Sequence, residues 1–197
     1  MMNVLFLDTT VNADIGLFDG DKFIELDRGG EQKASHKFHY RIYDLLKKNS
    51  LKVEDVDVIF QLAGPGSYTG MRLSEGFSNL LTFNNIKVYS IYHYEVPKLC
   101  KINEYLFVSN AFKGEYFVYS YSCGEESIQL VRCDDFKQGE LPIFSNEDLQ
   151  KINVDNTLSL LEKYPHIISD CIASETKRDL YYYRPIEEEF KLKEKLR

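Results

Sequence analysis

The 197-residue chain predicts an α/β fold of two lobes with a mixed sheet in each, the second lobe small and degenerate. The opening segment NVLFLDTTVNADIGLFDGDKFIELD reads as strand, turn, strand, turn, strand, and the middle segment YLFVSNAFKGEYFVYSYSCGEESIQLVRC repeats that meander. Between the copies, helix-period and strand-period segments alternate, as a parallel sheet with crossover helices requires. The lobes so defined are residues 1–100 and 101–197.

In the first lobe, NVLFLD, ADIGLF and DKFIELD are strands, and Asp19-Gly20-Asp21 supplies the turn between the last two. Gly29-Gly30 breaks the pattern, and Ser35 stands where it can cap a helix whose apolar face is Phe38, Ile42, Leu45 and Leu46. Lys47-Lys48-Asn49 is expected to end it. VDVIFQL is too uniformly apolar for a half-exposed strand and suits a buried parallel one. The glycine-rich AGPGSYTGMRLSEG then leads into a second helix, with an expected core face of Leu73, Phe77, Leu80 and Leu81, and KVYSIY returns as a strand. After the second meander come a short strand, LPIFSN, a helix, NTLSLLEKY, and a charged tail, EEEFKLKEKLR.

A hydrophobic content of 44% supports a packed core. Lys and Arg number 24 against 31 Asp and Glu, and the net charge of -7 has the wrong sign for neutralising a phosphate backbone, so RNA contact is expected only through a complex. Cys100, Cys123, Cys133 and Cys171 form no CxxC pair and read as reduced thiols of a cytoplasmic protein. The N-terminal MMNVLFLD has no basic region, and no apolar run reaches the ~20 residues that span a bilayer. Neither export nor membrane insertion is expected.

A glycine loop between a buried strand and a helix can aim backbone N–H groups at an anion. Here the generic anion-binding patterns do not fit. A Walker loop needs a lysine and a hydroxyl residue after its last glycine, whereas Gly70 is followed by Met71 and Arg72. A dinucleotide loop follows the first strand and is answered by an acid at the end of the next; this loop follows the fourth, and the next strand ends Ser90-Ile91-Tyr92. A nucleophile elbow would put glycines two residues either side of Ser67, where Pro65 and Thr69 stand. Two alternatives stay open. One is a tight corner in which Ser67 or Thr69 caps the helix; the other is a vestigial phosphate site of Asp8, Thr9 and Thr10 with Gly66, Ser67, Thr69, Gly70 and Arg72. His36 and His39 are the closest-spaced histidines and have no third ligand at matching spacing, so neither a metal nor another cofactor is expected.

FLDTT, SHKFHYRIYDLL, VDVIFQLAGPGSYTGMRL and VSNAFKGEYFVYSY resemble, in order, landmarks of the TsaB (YeaZ) family over roughly the first 120 residues. Tyr183-Arg184 resembles the family's closing segment. The resemblance implies two lobes of the actin-like ATPase fold with RNase H-like sheets. It also implies a non-catalytic partner in making threonylcarbamoyladenosine on tRNA. The catalytic paralogue TsaD would transfer the threonylcarbamoyl group to adenosine 37 of tRNAs reading codons that begin with A, and the ATPase TsaE would assist. Asn110 and Phe112 depart from the family, whose relatives tend to carry an aspartate and an arginine there.

A scaffold role also agrees with what the chain lacks. None of its eleven glycines follows Gly139, so the glycine loop that would receive an adenosine in the second lobe is missing. His36 is followed at the fourth position by Tyr40, so the metal-binding HxxxH pair that the resemblance implies for the catalytic paralogue is missing too. The rival expectation is an actin-fold ATPase or phosphotransferase using Asp8, Thr9 and the Gly64–Gly70 loop. On helical spacing, His36, His39, Tyr40 and Tyr43 form a stripe beside the first helix's core face, and Met71, Ser74, Ser78 and Thr82 form a small-residue face on the second. The resemblance makes these two faces the surface for a TsaD-like partner, and for a homodimer in its absence.

Overall fold

The uniformly apolar strands lie at the centre of a sheet because both of their faces are covered. The computed structural model describes residues 2–30, 37–150 and 152–184. In the first sheet, β1 (Val4–Asp8) and β4 (Val58–Leu62) are buried along their whole length. The strand order is β3-β2-β1-β4-β5, with β2 (Asp14–Phe18) and β3 (Phe23–Asp27) antiparallel and β1, β4 and β5 (Lys87–Ile91) parallel. Leu5, Leu7, Ile15, Leu17 and Ile59 pack on one face against α1 (Phe38–Lys48) and α2 (Tyr68–Thr82). Val4, Phe6, Val58 and Phe60 on the other face meet α3 (Val96–Leu99), α4 (Thr157–Lys163) and α5 (His166–Ala173).

The second sheet has the order β10-β9-β6-β7-β8. Here β6 (Glu104–Asn110), β7 (Glu115–Ser122) and β8 (Glu125–Arg132) form the antiparallel meander, and β9 (Ile143–Ser145) and the two-residue β10 (Asp155–Asn156) add parallel strands beside β6. This is the order of the first sheet repeated, as the duplicated meander predicts. Having few helices of its own, the second sheet is filled differently on its two faces. One carries the rings of Tyr94, Tyr105, Phe107, Phe117, Tyr119 and Phe144, with Tyr94 stacked on Tyr119 at 4.4 Å between centroids. The other is covered by loop side chains, Phe136, Leu149, Ile152 and Val154.

Most elements stand where the sequence puts them. Two helices, α3 and α5, were not anticipated, because short apolar runs such as HIISDCIA carry no distinct period. Ser35, His36 and the tail EEEFKLKEKLR lie outside the described residues. No helix among the described residues is long and apolar enough to cross a membrane.

The orientation of α2 corrects the expectation. Its sheet-facing side is Gly70, Met71, Ser74, Ser78 and Leu81, whereas Leu80 is 64% exposed and Leu73 and Phe77 are half-buried at the edge of the core. Ser74 is only 2% exposed. The cause is the polarity of the surface beneath: Ser74 Oγ lies 2.8 Å from Thr9 Oγ1, and Ser78 Oγ donates to Gln61 Oε1 at 3.0 Å. Buried hydroxyl and amide groups need such partners, and small residues let the helix approach closely enough to supply them. Met71, Ser74 and Ser78 are therefore inward, and Thr82 is the member of that set left on the surface.

Because α4 reaches back from the far end of the chain to the first sheet, its fully buried Leu161 tests that attachment. Leu161→Ala is expected to cost about 2–5 kcal/mol of stability, read as a lower urea midpoint with an unchanged slope.

Candidate functional site

The carboxyl ends of parallel strands are where α/β sheets open a crevice, and β1 ends there in Asp8, followed by Thr9 and Thr10. Asp8 Oδ1 accepts from the Thr10 backbone N–H at 3.0 Å and from its hydroxyl at 2.6 Å. Across the crevice stands His93, wholly buried at the end of the loop after β5. Its Nε2 is 3.2 Å from Asp8 Oδ2 and 2.9 Å from Thr10 Oγ1. With the Thr10 hydroxyl hydrogen directed at Asp8, Nε2 must carry a hydrogen to bond these oxygens. His93 Nδ1 lies 2.8 Å from the hydroxyl of Thr157, the first residue of α4, and that hydroxyl is 3.2 Å from the Ser145 carbonyl in β9. Asn146 Nδ2 donates to Thr10 Oγ1 at 3.2 Å and to the Pro65 carbonyl at 3.3 Å. One buried network therefore links both sheets, the glycine loop and α4.

Burial opposes ionisation of Asp8, but the His93 ring and the hydrogen bonds from His93 and Thr10 outweigh it and hold the carboxyl below the usual carboxylate range. Asp14, by contrast, is pushed up by burial and by the charge of Asp8, and Glu147 is pushed up by burial. Among the described residues no group of three or more His, Cys, Asp or Glu side chains is placed to hold a metal ion.

The glycine loop is closed on itself. Ser67 N–H donates to the Thr10 carbonyl at 2.6 Å, Met71 N–H to the Ser67 carbonyl at 2.9 Å, and Gly70 N–H to Ser67 Oγ at 3.3 Å, which makes Ser67 the helix cap. A Cβ on Gly66 would lie 2.5 Å from the Thr10 carbonyl oxygen, and one on Gly70 would overlap the Thr9 carbonyl oxygen. These glycines admit the backbone after β1 rather than a ligand. From the other side, Tyr181 N–H donates to the Ala63 carbonyl at 2.8 Å. Of the proposed phosphate set, Asp8, Thr9, Thr10, Gly66, Ser67 and Gly70 do come together. Thr69 is exposed, and Arg72 turns outward to Glu75 at 2.6 Å, over the rings of Tyr68 and Tyr182.

The departures at Asn110 and Phe112 form a local turn, with the Asn110 carboxamide accepting from Phe112 N–H at 2.9 Å. An acid and a guanidinium reach this place from elsewhere: Glu147 accepts from Asn110 N–H at 2.7 Å, and Arg184 donates to the Ala111 carbonyl at 2.6 Å. His93, Asn146, Thr157 and the segment around Tyr181 carry no local motif, and their sequence separation from Asp8 hides them from any spacing argument. On the outer surface, His39, Tyr40 and Tyr43 of α1 are exposed, Tyr40 by 73%. The His39 ring packs 5.5 Å from that of Phe77, which sets this stripe beside the outward side of α2, where Leu80 and the 86%-exposed Phe83 stand.

No family model matches the sequence. YeaZ from Pseudomonas aeruginosa superposes with a TM-score of 0.61 at 15% identity, over 90% of this chain and 96% of that one. The chain has the YeaZ-like form of the actin-like fold. A second Pseudomonas aeruginosa structure, described as similar to peptidase YeaZ, gives a TM-score of 0.59 at 14% identity over 92% of this chain and 100% of that one. An uncharacterized protein of Mycoplasma genitalium is 23% identical over 160 residues, covering 74% of this chain and 72% of its own. In this YeaZ-like chain the place between the lobes is occupied by protein side chains and backbone.

The network makes a signed pH prediction. The depressed Asp8 ionisation contributes stability that is fully present above the unfolded-state carboxylate pKa and is lost as pH falls through the lower folded value. Asp8→Asn is expected to lower stability by about 1.5–3 kcal/mol at neutral pH, with the gap to the parent narrowing as pH falls from the unfolded-state carboxylate value through the lower folded one. Urea midpoints of both proteins across that range check this.

Proposed function

We propose that the chain is a non-catalytic subunit for threonylcarbamoyl transfer to adenosine 37 of tRNA, working by docking a TsaD-like catalytic paralogue alongside a TsaE-like ATPase. The observation that carries this proposal is the close packing of the glycine loop: the Ser67, Gly70 and Met71 amides are bonded to Thr10 and Ser67, and Gly66 and Gly70 are packed against the Thr10 and Thr9 backbone. A phosphate would have to displace protein backbone to use it. The YeaZ-like fold over nine-tenths of the chain supports the family to which the role belongs. A net charge of -7 fits a subunit that meets tRNA through its partner.

The docking surface is the outward side of the first two helices, Tyr40 and Tyr43 on α1 with Leu80 on α2 and Phe83 at its C-terminal cap, all exposed. Exposed aromatic and leucine side chains at helical spacing supply the buried anchors that such interfaces need. Ser74 and Ser78 belong to the monomer's own packing and are not part of it.

Calorimetry with a purified TsaD-like protein tests this surface. Tyr43→Glu and Phe83→Glu are each expected to weaken binding by on the order of 2 kcal/mol, with melting temperatures unchanged. Ser74→Arg is expected to lower the melting temperature sharply, because it puts a charge against Thr9 and the sheet. Undiminished affinity in the two folded glutamate variants would move the interface elsewhere. Steady ATP turnover by the isolated chain, abolished by Asp8→Ala, would overturn the non-catalytic role.

A further inference from the structure

Every sheet has edges whose unpaired N–H and C=O groups can recruit another strand, and folded proteins blunt them. Of the four sheet edges among the described residues, three are blunted. The outer strand β3 carries a register shift against β2 at Leu17 and Phe18. The edge of β5 is covered, Ser90 N–H donating to the Thr176 carbonyl at 3.0 Å and Arg178 N–H to Ser90 Oγ at 2.7 Å. The outer strand β10 has two residues. The fourth edge, β8, runs eight residues as EESIQLVR without proline, lysine or register shift, and among the described residues pairs only with β7.

The hairpin turn settles which groups of β8 face outward. Cys123 and Gly124, with φ of 53° and 86°, form a two-residue turn closed by Ser122 and Glu125. That closing pair exchanges backbone hydrogen bonds, so residues 125, 127, 129 and 131 point their N–H and C=O groups at β7. The bond from Cys133 N–H to the Gly114 carbonyl at 2.9 Å continues the same alternation. Glu126, Ile128, Leu130 and Arg132 therefore direct theirs away from the sheet. The Arg132 carbonyl already accepts from Asp135 and Phe136 N–H groups, while its N–H remains on the open edge.

We propose that β8 pairs antiparallel with β8 of a second copy of this chain, about a two-fold axis at Gln129, joining the two second-lobe sheets into one. Hydrogen-bond parity allows only registers that place even-numbered residues opposite even-numbered residues. Among these, the register centred on Gln129 sets Glu126 opposite Arg132 and Ile128 opposite Leu130, each pair occurring twice by symmetry. The neighbouring register, centred on Ile128, would instead set Glu126 opposite Leu130. Charge complementarity thus selects both the occupant and its alignment. Ile128 and Leu130, both exposed, lie on one face and would cover each other across the axis. Glu126, already 2.7 Å from Lys98, would sit between that lysine and the second copy's Arg132.

Sedimentation equilibrium on the purified full chain tests this pairing. The parent protein is expected to dimerise reversibly. Leu130→Pro removes an outward N–H without touching the β7 ladder and should abolish the dimer at an unchanged melting temperature. Arg132→Glu places carboxylates opposite one another and should weaken association by about tenfold, and Glu126→Arg combined with Arg132→Glu should restore it. The charge exchange decides alone if Leu130→Pro fails to fold. A parent chain that stays monomeric up to about millimolar concentration would overturn the proposal, leaving the edge to a different protein's strand. So would a dimer lost in Tyr43→Glu but indifferent to the β8 variants, or a double variant that fails to restore pairing.

Discussion

The buried contact between His93 and Asp8 is the constraint around which the rest of the structure is arranged. An imidazole with no exposed surface must have both ring nitrogens satisfied, and here one faces Asp8 and Thr10 while the other faces Thr157. Those partners come from β1, from the chain after it and from the start of α4. Their positions are therefore mutually dependent: moving α4 would orphan Nδ1, and moving β1 would orphan Nε2. Asn146 adds the glycine loop to the same network through the Pro65 carbonyl. The polar seam between the sheets is thus specified by hydrogen bonds, where an apolar seam would tolerate sliding.

Division of labour between the lobes follows from the small size of the second. It has the strand order of the first but cannot cover its own faces with helices, and the helices that follow its sheet, α4 and α5, pack on the first sheet instead. Aromatic rings and loop side chains fill what is left. Tyr181 and Tyr183, at the end of the described chain, complete that aromatic cluster while Arg184 reaches the Ala111 carbonyl. A lobe built this way keeps one long strand edge open, because among the described residues no crossover element lies beyond β8.

The same close packing that seats α2 explains why glycines stand at positions 66 and 70. Thr9 and Gln61 present polar groups on the sheet surface, serines on the helix answer them, and the short separation this requires brings Gly66 and Gly70 against the backbone of Thr10 and Thr9. A helix drawn inward by its small polar residues leaves its larger apolar ones, Leu80 and Phe83, outside. Inward polarity and an outward apolar surface are two consequences of one orientation.

Repetition and periodicity were legible in the sequence: the two meanders, the buried character of VIFQL, the apolar face of α1 and the Ser67 cap all depend on residues near one another in the chain. The face of α2 was not, because hydrophobicity alone assigns Leu80 to the core and Ser74 to the surface, and only the polar side chains of Thr9 and Gln61 beneath the helix reverse that choice. Asp8 and Thr10 could be singled out as candidates from their place after the first strand. Their partners could not, since His93 and Asn146 lie 83 and 136 residues beyond Thr10, Thr157 lies 64 beyond His93, and none sits in a local motif. Local chemistry determines which segments become strands and helices; which polar groups must satisfy one another is decided only when the folded chain removes them from water.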